Sequence, residues 1–275
     1  MQNYCKTIGA FAAVSALVAG NVKAEVESEL HAGYSNEYLF RGIKLGSQLV
    51  EVGGNVKGQA GGLDLSAGFW HGAFDGSANV KQDITSGAAS EYDLFAGASK
   101  DLGLLSASLG YIYRHYDLGT SWWQMNSHSE DSQELAVGVA RDFGFVAASL
   151  TYYASLNNTG NGQGNYFQAY NPGTQPLQPA NIGNNNKGYT ELAVSHSWVL
   201  NPSLTLNVGS NVGYMLEKGQ ATAWTSKVSL DWAIVKHAKL SPFVEFALPL
   251  SDDQDTYYLH SNNQFACGSM LSVSF

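Results

Sequence analysis

The sequence predicts an all-β fold, a transmembrane antiparallel up-and-down β-barrel of about 12 strands. From residue 25 onward, polar and apolar residues alternate with period two in twelve short segments. The links between these segments are short and long in turn, and none of the segments approaches the ~18 to 20 apolar residues of a spanning helix. Because every backbone polar group must be paired inside hydrocarbon, a chain of such segments crosses a membrane only as a closed barrel.

Residues 1–24 are predicted to form a signal peptide for the Sec pathway. Lys6 lies in a short polar start, an apolar run covers residues 8 to 19, and Val22-Lys23-Ala24 ends on a small residue. Its removal leaves residues 25–275 as the expected barrel, with Cys267 as the only cysteine. The remaining chain has 12 basic and 23 acidic residues, which gives a formal charge of about −11. Nucleic acid is therefore not an expected partner.

Strands one to three are expected near residues 26–35, 48–57 and 63–70. Their predicted outward residues are Ser28, Leu30, Ala32, Tyr34, Val50, Val52, Val56, Leu63, Leu65, Ala67 and Phe69. The next four strands carry Tyr92, Leu94, Ala96, Ala98, Leu105, Ala107, Leu109, Tyr111, Tyr113, Leu135, Val137, Val139, Val146, Ala148, Leu150 and Tyr152 outward. Hairpin partners thus keep matching faces, as a barrel wall requires.

The later strands continue the pattern up to the last residue. Strands eight to ten carry Leu192, Val194, His196, Trp198, Leu204, Leu206, Val208, Val212, Tyr214, Trp224, Val228, Leu230, Trp232 and Ile234 outward. The faces of strand eleven, near residues 239–248, are left open because Pro242 lacks a ladder donor. The last strand carries Leu271, Val273 and Phe275 outward.

The links divide into two kinds. Lys100-Asp-Leu-Gly103 and Arg141-Asp-Phe-Gly144 are closely similar tight turns, typical of hairpins with a fixed register. Residues 36–47 and 156–188 are expected to be long loops. The second is too long to be a neutral connector, and it either folds inward as a constriction or forms an external mobile loop. An even number of strands places both termini on the side of the short links.

Aromatic residues are sorted by strand end. Those at the long-link ends are Tyr34, Phe69, Tyr92, Tyr113, Tyr152, Tyr214 and Trp224, and those at the short-link ends are Trp198, Trp232 and Phe275. Rings concentrate at both interfaces of membrane barrels. A soluble β-sandwich, the alternative fold, does not require this sorting.

The inward faces carry the residues that we expect to line a pore. These are Glu51, Lys57, Asp64, Glu91, Asp93, Arg114, Glu134, Lys227 and Asp231, with Glu27, Glu29 and Glu191 on the same side. Acids outnumber bases, so the lumen is predicted to favour cations or uncharged solutes over anions. Glu91 and Arg114 fall on adjacent strands, either as a pair that creates a transverse field or as a plain wall contact.

Residues 35 to 43 resemble the Y-x-F-R-G-[IV] motif near the mature N-terminus of the TorF family of porins. The matching residues are Tyr38, Phe40, Arg41, Gly42 and Ile43. The resemblance implies a Gram-negative outer-membrane barrel that contacts outer-membrane lipid and passes small hydrophilic solutes by passive diffusion. Leu271, Val273 and Phe275 also resemble the signal by which the barrel-assembly machinery recognises its clients.

Arg41 has two possible roles. A guanidinium stacks on aromatic rings or forks onto a carboxylate, so Arg41 can pin the first loop against Tyr38 or Phe40. This structural role is preferred here. The functional alternative is that Arg41 faces the pore and binds an anionic solute.

Other functions have weaker support. A structural or adhesive barrel with a filled lumen stays open, because about twelve strands leave room for a narrow channel or a plug. An outer-membrane phospholipase needs a supported nucleophile; His196 and Ser226 face outward, but no G-x-S-x-G elbow is present. Neither a metal site nor a cofactor is predicted, and the acidic run Asp252-Asp253-Gln-Asp255 lacks a calcium-loop frame. The chain is therefore not expected to be an enzyme.

Overall fold

Twelve antiparallel strands close into a barrel, in agreement with the predicted fold class and strand number. The computed structural model describes residues 26–75, 88–118, 128–156, 188–216, 219–251 and 263–275. The strands are β1 Glu27–Phe40, β2 Ile43–Ala60, β3 Leu63–Asp75, β4 Ala88–Asp101, β5 Ser106–Leu118, β6 His128–Asp142, β7 Ala147–Ser155, β8 Tyr189–Asn201, β9 Leu204–Met215, β10 Gln220–Val235, β11 Ala238–Pro249 and β12 Gln264–Ser274. The predicted signal peptide and most of the link 156–188 lie outside the described residues.

Each strand pairs with its neighbours in sequence, and β1 closes the sheet on β12. The closing register sets Leu30 opposite Val273 and Tyr34 opposite Ser269. The two ends of the barrel chain meet, since the amide of Phe275 donates to the carbonyl of Ser28 at 2.9 Å. Closure pairs the backbone of the first and last strands and so removes the sheet edge. In the described part of the chain, no helix is long and apolar enough to cross a membrane.

The outer face of the barrel is apolar, as the alternation predicted. Leu30 keeps 52% of its surface exposed and Leu192 keeps 54%, although both are aliphatic. Large apolar side chains with this exposure recur on the outward face of almost every strand. Water solvates such a surface poorly, whereas bilayer hydrocarbon accommodates it. The exterior is therefore that of a transmembrane barrel.

The register resolves the two faces of β11. Val244 is opposite Cys267 on β12 and opposite Val228 on β10, and it is 44% exposed. Phe243 and Glu245 consequently point into the lumen. Pro242 is opposite Ser269 and belongs to the outward set.

Exposed aromatic side chains lie at both ends of the wall. Tyr34, Tyr92, Tyr214 and Trp224 are exposed near the long-link end, and Trp198, Trp232 and Phe275 near the short-link end. The two similar turns also have the same internal geometry. The carboxylate of Asp101 accepts from the amide of Gly103 at 2.7 Å, and that of Asp142 accepts from the amide of Gly144 at 2.7 Å.

The predicted loop 36–47 is wrong. β1 continues to Phe40, β2 begins at Ile43, and a two-residue turn joins them. Arg41 and Gly42 in this turn have φ values of 51° and 80°, the signs of a type I′ hairpin turn. The alternation of polar and apolar residues stops here because this hairpin has no side that faces lipid.

Candidate functional site in the barrel lumen

Residues 36–47 form the end of the β1–β2 hairpin, which we call the inner hairpin. β1 and β12 separate beyond the pair Ser35–Gly268, although both strands continue in the described chain. On the other side, the register between β2 and β3 shifts between Ser47 and Val50, where Gln48 has a φ of 55°. Such irregularities bend a strand locally. The inner hairpin therefore leaves the wall at this level.

The tip of the inner hairpin crosses the lumen. Arg41 contacts Glu134 on β6, and its guanidinium lies over the rings of Tyr153 on β7 and Tyr189 on β8. A Cβ atom added to Gly42 would overlap the Ala223 methyl group on β10. Because β7 lies half-way around the closed sheet from β1, these contacts span the full width of the barrel.

An apolar cluster holds the base of the inner hairpin against β2, β3 and β4. Tyr38, Leu49, Phe74 and Ala89 are buried together, with Phe40, Leu45 and Trp70 packed against them. The Tyr38 ring centroid lies 5.1 Å from that of Phe74 and 5.5 Å from that of Trp70. Such aromatic contacts fix ring orientation as well as burying area. This cluster fills one side of the lumen.

A cluster of ion pairs holds the tip. Both terminal nitrogens of Arg41 donate to the two oxygens of Glu134 at 2.9 Å each. Arg114 donates from Nη1 to the same carboxylate at 2.6 Å and from Nε to Asp93 at 3.2 Å. The exposed fractions of the Arg41 and Glu134 side chains are 6% and 8%. Removing one partner from such a buried pair leaves the other charge uncompensated, which is strongly destabilising.

Aromatic rings surround the Arg41 guanidinium. Its Cζ atom lies 4.3 Å from the Tyr189 ring centroid, 4.4 Å from that of Tyr153 and 5.0 Å from that of Phe40. A cation within about 6 Å of a ring face is attracted by its quadrupole. The hydroxyl of Tyr38 donates to Glu91 at 2.6 Å, which links the base of the inner hairpin to the same wall.

A cavity of about 240 Å³ lies beside the inner hairpin. The indole nitrogen of Trp70 donates to Glu51 at 2.6 Å on one side of it. On the other side, the ammonium of Lys227 lies 3.7 Å from Glu245 and 4.0 Å from the Phe243 ring centroid. The cavity lining is therefore a mixture of carboxylates and aromatic rings with one ammonium group.

The expected pore-lining residues fall into three groups. Glu91, Asp93, Arg114 and Glu134 meet in or beside the ion-pair cluster, and Glu51 and Lys227 line the cavity. Near the short-link end are Lys57, Asp64 and Asp231, of which Asp231 binds Lys239 at 3.0 Å and Asp64 accepts from Gln59 at 2.7 Å. The register sets Arg114 directly opposite Asp93, with Glu91 one diagonal step away.

The motif residues Tyr38, Phe40, Arg41 and Gly42 all belong to the inner hairpin, and β2 begins at Ile43. Arg41 both stacks on Phe40 and forks onto a carboxylate, as the structural interpretation requires. Leu271, Val273 and Phe275 lie at the end of β12 beside the closing strand.

Several residues of the site were not found from the sequence. Phe243 and Glu245 were missed because the faces of strand eleven were left open. Tyr153 follows the outward Tyr152, so the alternation carried a signal for its inward position. The alternation carried the same signal for Tyr189, which lies two residues before the inward Glu191. No signal indicated that Arg41 crosses the lumen to Glu134.

His196 and Ser226, the outward pair considered for hydrolysis, have separate surroundings. Ser226 donates to Ser210 at 3.0 Å, and the His196 ring meets Trp198 edge-on with centroids 4.4 Å apart. The register sets His196 opposite Val208 and Ser226 opposite Ser210, so β9 lies between them. Within the described ranges, no group of three or more His, Cys, Asp or Glu side chains is arranged to hold a metal ion. The acidic run 252–255 lies outside these ranges.

No protein-family model matches the chain, and no curated protein is similar to it in sequence. Among solved structures, the KdgM porin in complex with disordered oligogalacturonate is 10% identical, with a TM-score of 0.46 over 90% of this chain and 99% of that chain. The COG4313 outer membrane channel from Pseudomonas putida F1 is 11% identical, with a TM-score of 0.49 over 92% of this chain and 96% of that chain. The outer membrane phospholipase OMPLA from Salmonella typhi is 11% identical, with a TM-score of 0.45 over 92% of each chain. At these levels of similarity, the three proteins do not indicate what this chain does.

Proposed function

We propose that this protein is an outer-membrane channel for the passive diffusion of small hydrophilic solutes. The observation that carries the proposal is a closed twelve-stranded barrel with an apolar exterior and a lumen lined by charged side chains. Lumen charges have no packing role toward lipid, and in channels such side chains set which solutes pass. No catalytic activity is expected.

The lumen is expected to favour cations or uncharged solutes. Arg41 and Arg114 both bind Glu134, so their positive charges are compensated within the ion-pair cluster. Of the other groups that line the cavity, Glu37 is paired with Lys44, and the carboxylates Glu51 and Glu245 face a single ammonium on Lys227. A fixed negative excess raises the local concentration of cations and lowers that of anions. The negative charge expected in the lumen has the same sign as the net charge of the whole chain.

The cellular route belongs to the same proposal. The signal-like start supports export through the Sec pathway with cleavage after residue 24. The terminal Leu271, Val273 and Phe275 support insertion by the barrel-assembly machinery into the outer membrane, where the barrel contacts lipid. The resemblance of residues 38 to 43 to the TorF motif supports this assignment by pattern. Cell fractionation and N-terminal sequencing of the mature protein test the route.

Ion preference is tested with the protein purified from outer membranes and inserted into planar bilayers. In a KCl gradient, we expect a reversal potential of the sign given by potassium preference. A clear preference for chloride would contradict the cation-leaning part of the proposal. Absence of any current together with absence of liposome swelling would contradict the channel itself.

Charge removal at the cavity sharpens this test. The double variant Glu51→Gln and Glu245→Gln keeps side-chain size but removes both carboxylates. We expect its reversal potential to move toward zero, because the cavity loses the two carboxylates that face Lys227. The double variant Asp101→Asn and Asp142→Asn is the matched control, since it removes two carboxylates on exposed turns outside the lumen and is expected to leave the reversal potential unchanged.

A structural barrel with a filled lumen is the second candidate. The inner hairpin favours it, because this segment crosses the lumen and buries its tip against the far wall. Liposome swelling separates the two functions, since a filled barrel admits no solute. Swelling in the presence of amino acids or monosaccharides supports the channel.

A further inference from the structure

The contacts of the inner hairpin are concentrated at its two ends. At the tip, Arg41 is bound by Glu134 and enclosed by the rings of Tyr153 and Tyr189. At the base, Tyr38 packs on Phe74 and donates to Glu91. The ladder with β12 has already ended at Ser35. Between these anchors, the segment crosses the lumen instead of belonging to the wall.

Most of the wall does not depend on the inner hairpin. Residues 29 to 35 pair with β12 and residues 50 to 60 pair with β3, so the barrel is closed on the short-link side of Ser35 without residues 36–47, of which Ser47 still pairs with Asp75 on β3. The β2–β3 register shifts between Ser47 and Val50, where the hairpin joins the wall, and the β1–β2 register shifts between Tyr38 and Leu39, inside the hairpin. The tip can therefore leave its place without unpairing the part of the barrel closed on the short-link side of Ser35.

The arginine at the tip is an unusual choice for its backbone position. Its φ of 51° is in the left-handed region, where Asn and Gly are preferred in type I′ turns. Its side chain, however, makes the two-pronged contact with a carboxylate that a lysine cannot reproduce. The turn thus presents a guanidinium across the lumen at some conformational cost.

The space left beside the seated inner hairpin is small. The cavity of about 240 Å³ lies below the roughly 300 to 1,000 Å³ of sites that hold drug-sized ligands. Ions and single small molecules fit such a space, whereas oligosaccharides and peptides do not. Because the inner hairpin crosses the lumen next to this cavity, its position limits the space beside it.

We propose that the inner hairpin is the constriction of the channel and that the Arg41–Glu134 pair is its latch. With the latch closed, the barrel passes small cations and neutral molecules of monosaccharide or amino-acid size. With the latch open, the hairpin tip leaves the far wall and the barrel passes larger hydrophilic solutes such as oligosaccharides. This inference rests on the proposed channel function and assigns the element that sets its size limit.

The first test removes the latch. Arg41→Ala is expected to raise single-channel conductance by about twofold or more, since current follows the narrowest cross-section. It is also expected to allow liposome swelling in the presence of trisaccharides that the wild-type barrel excludes. Arg41→Lys keeps the charge but loses the fork, so an intermediate conductance is expected. Arg141→Ala is the matched control, because Arg141 stacks on Phe143 next to a short turn and is expected to leave conductance unchanged.

The second test closes the latch covalently within one protein sample. In a Cys267→Ser background, Arg41→Cys and Glu134→Cys place thiols on the two sides of the contact. A bifunctional thiol reagent with a reducible spacer is expected to lower the conductance of this double variant to the wild-type level. Reduction of the spacer is expected to restore the high conductance. Each single-cysteine variant controls for simple thiol modification, and the comparison does not depend on how stably the variants fold.

The outcomes separate the latch from the channel. Higher conductance in Arg41→Ala than in a conducting wild-type barrel, together with reversible closure by the spacer, supports the latch. Conductance of the wild-type barrel that neither Arg41→Ala nor cross-linking changes would overturn the latch and leave the channel intact. If the wild-type barrel and every variant fail to conduct and to swell liposomes, both proposals are wrong.

Discussion

Gly42 stands at the tip of the inner hairpin, where a side chain would meet the opposite wall. A Cβ atom there would overlap Ala223 and approach the Thr225 methyl group to 3.3 Å. We therefore expect Gly42→Ala to unseat the tip and raise conductance in planar bilayers, as loss of the latch does. The backbone adds a second cost, because alanine in the left-handed region is disfavoured by about 1–2 kcal/mol.

Gly103 supplies the matched control for Gly42. Its φ of 84° is close to the 80° of Gly42, but an added Cβ at Gly103 has no atom within 4 Å. Gly103→Ala carries the same backbone penalty without the collision, so its conductance is expected to equal that of the wild-type barrel. Equal conductance in both variants would show that the space at the tip does not control the channel.

At the level of single residues, the sequence predicted whether a side chain points outward or inward better than which residue it contacts. Leu30, Leu192 and other outward residues follow from parity alone, because lipid demands apolar side chains at every second position. The partner of Arg41 does not follow, since it depends on how far the hairpin bends and which strand lies half-way around the barrel. No spacing in the chain links residues 41 and 134.

The two similar turns are the elements whose geometry the sequence predicted most directly. In each, an aspartate accepts from the amide of the glycine two residues later, at 2.7 Å. We expect Asp142→Ala to lower the free energy of unfolding by about 1 kcal/mol, the net value of one such hydrogen bond. Urea titration of the barrel in lipid vesicles, followed by tryptophan fluorescence, measures this change.

Asp142→Asn controls for the charge in this turn, because its amide oxygen can still accept from the amide of Gly144. The free energy of unfolding is expected to stay near the wild-type value in this variant. A loss as large as that of Asp142→Ala would show that charge rather than the hydrogen bond stabilises the turn.

The inner hairpin is the element that the sequence failed to predict, and the reason is physical. A wall strand separates lipid from lumen, so its residues alternate between apolar and polar. Residues 36–47 lie inside the barrel and have no side that faces lipid. Their sequence therefore does not alternate; it reads Asn-Glu-Tyr-Leu-Phe-Arg-Gly-Ile-Lys-Leu-Gly-Ser. The lengths of β1 and β2 were underestimated because period-two alternation identifies a strand only where one face meets lipid and the other meets water.

For the whole molecule, the contrast between exterior and lumen makes a quantitative prediction. Leu150 points outward from the middle of β7 and is exposed, whereas Thr151 follows it on the inward face opposite Glu191. Leu150→Arg is expected to lower the free energy of unfolding by about 2–4 kcal/mol, the value for arginine near the bilayer midplane. Thr151→Arg is expected to cost much less, because the new charge meets water and a carboxylate on the neighbouring strand.

Both variants introduce the same side chain one residue apart in β7, so the size and charge of the added group are matched in the comparison. Unfolding in lipid vesicles gives the free energies, and unfolding in a zwitterionic detergent gives a second pair in which the hydrocarbon layer is thinner and more adaptable. If the exterior faces lipid, the gap between the variants is larger in vesicles. Equal losses in both media would mean that the apolar exterior packs against protein, and the transmembrane assignment of the barrel would then be wrong.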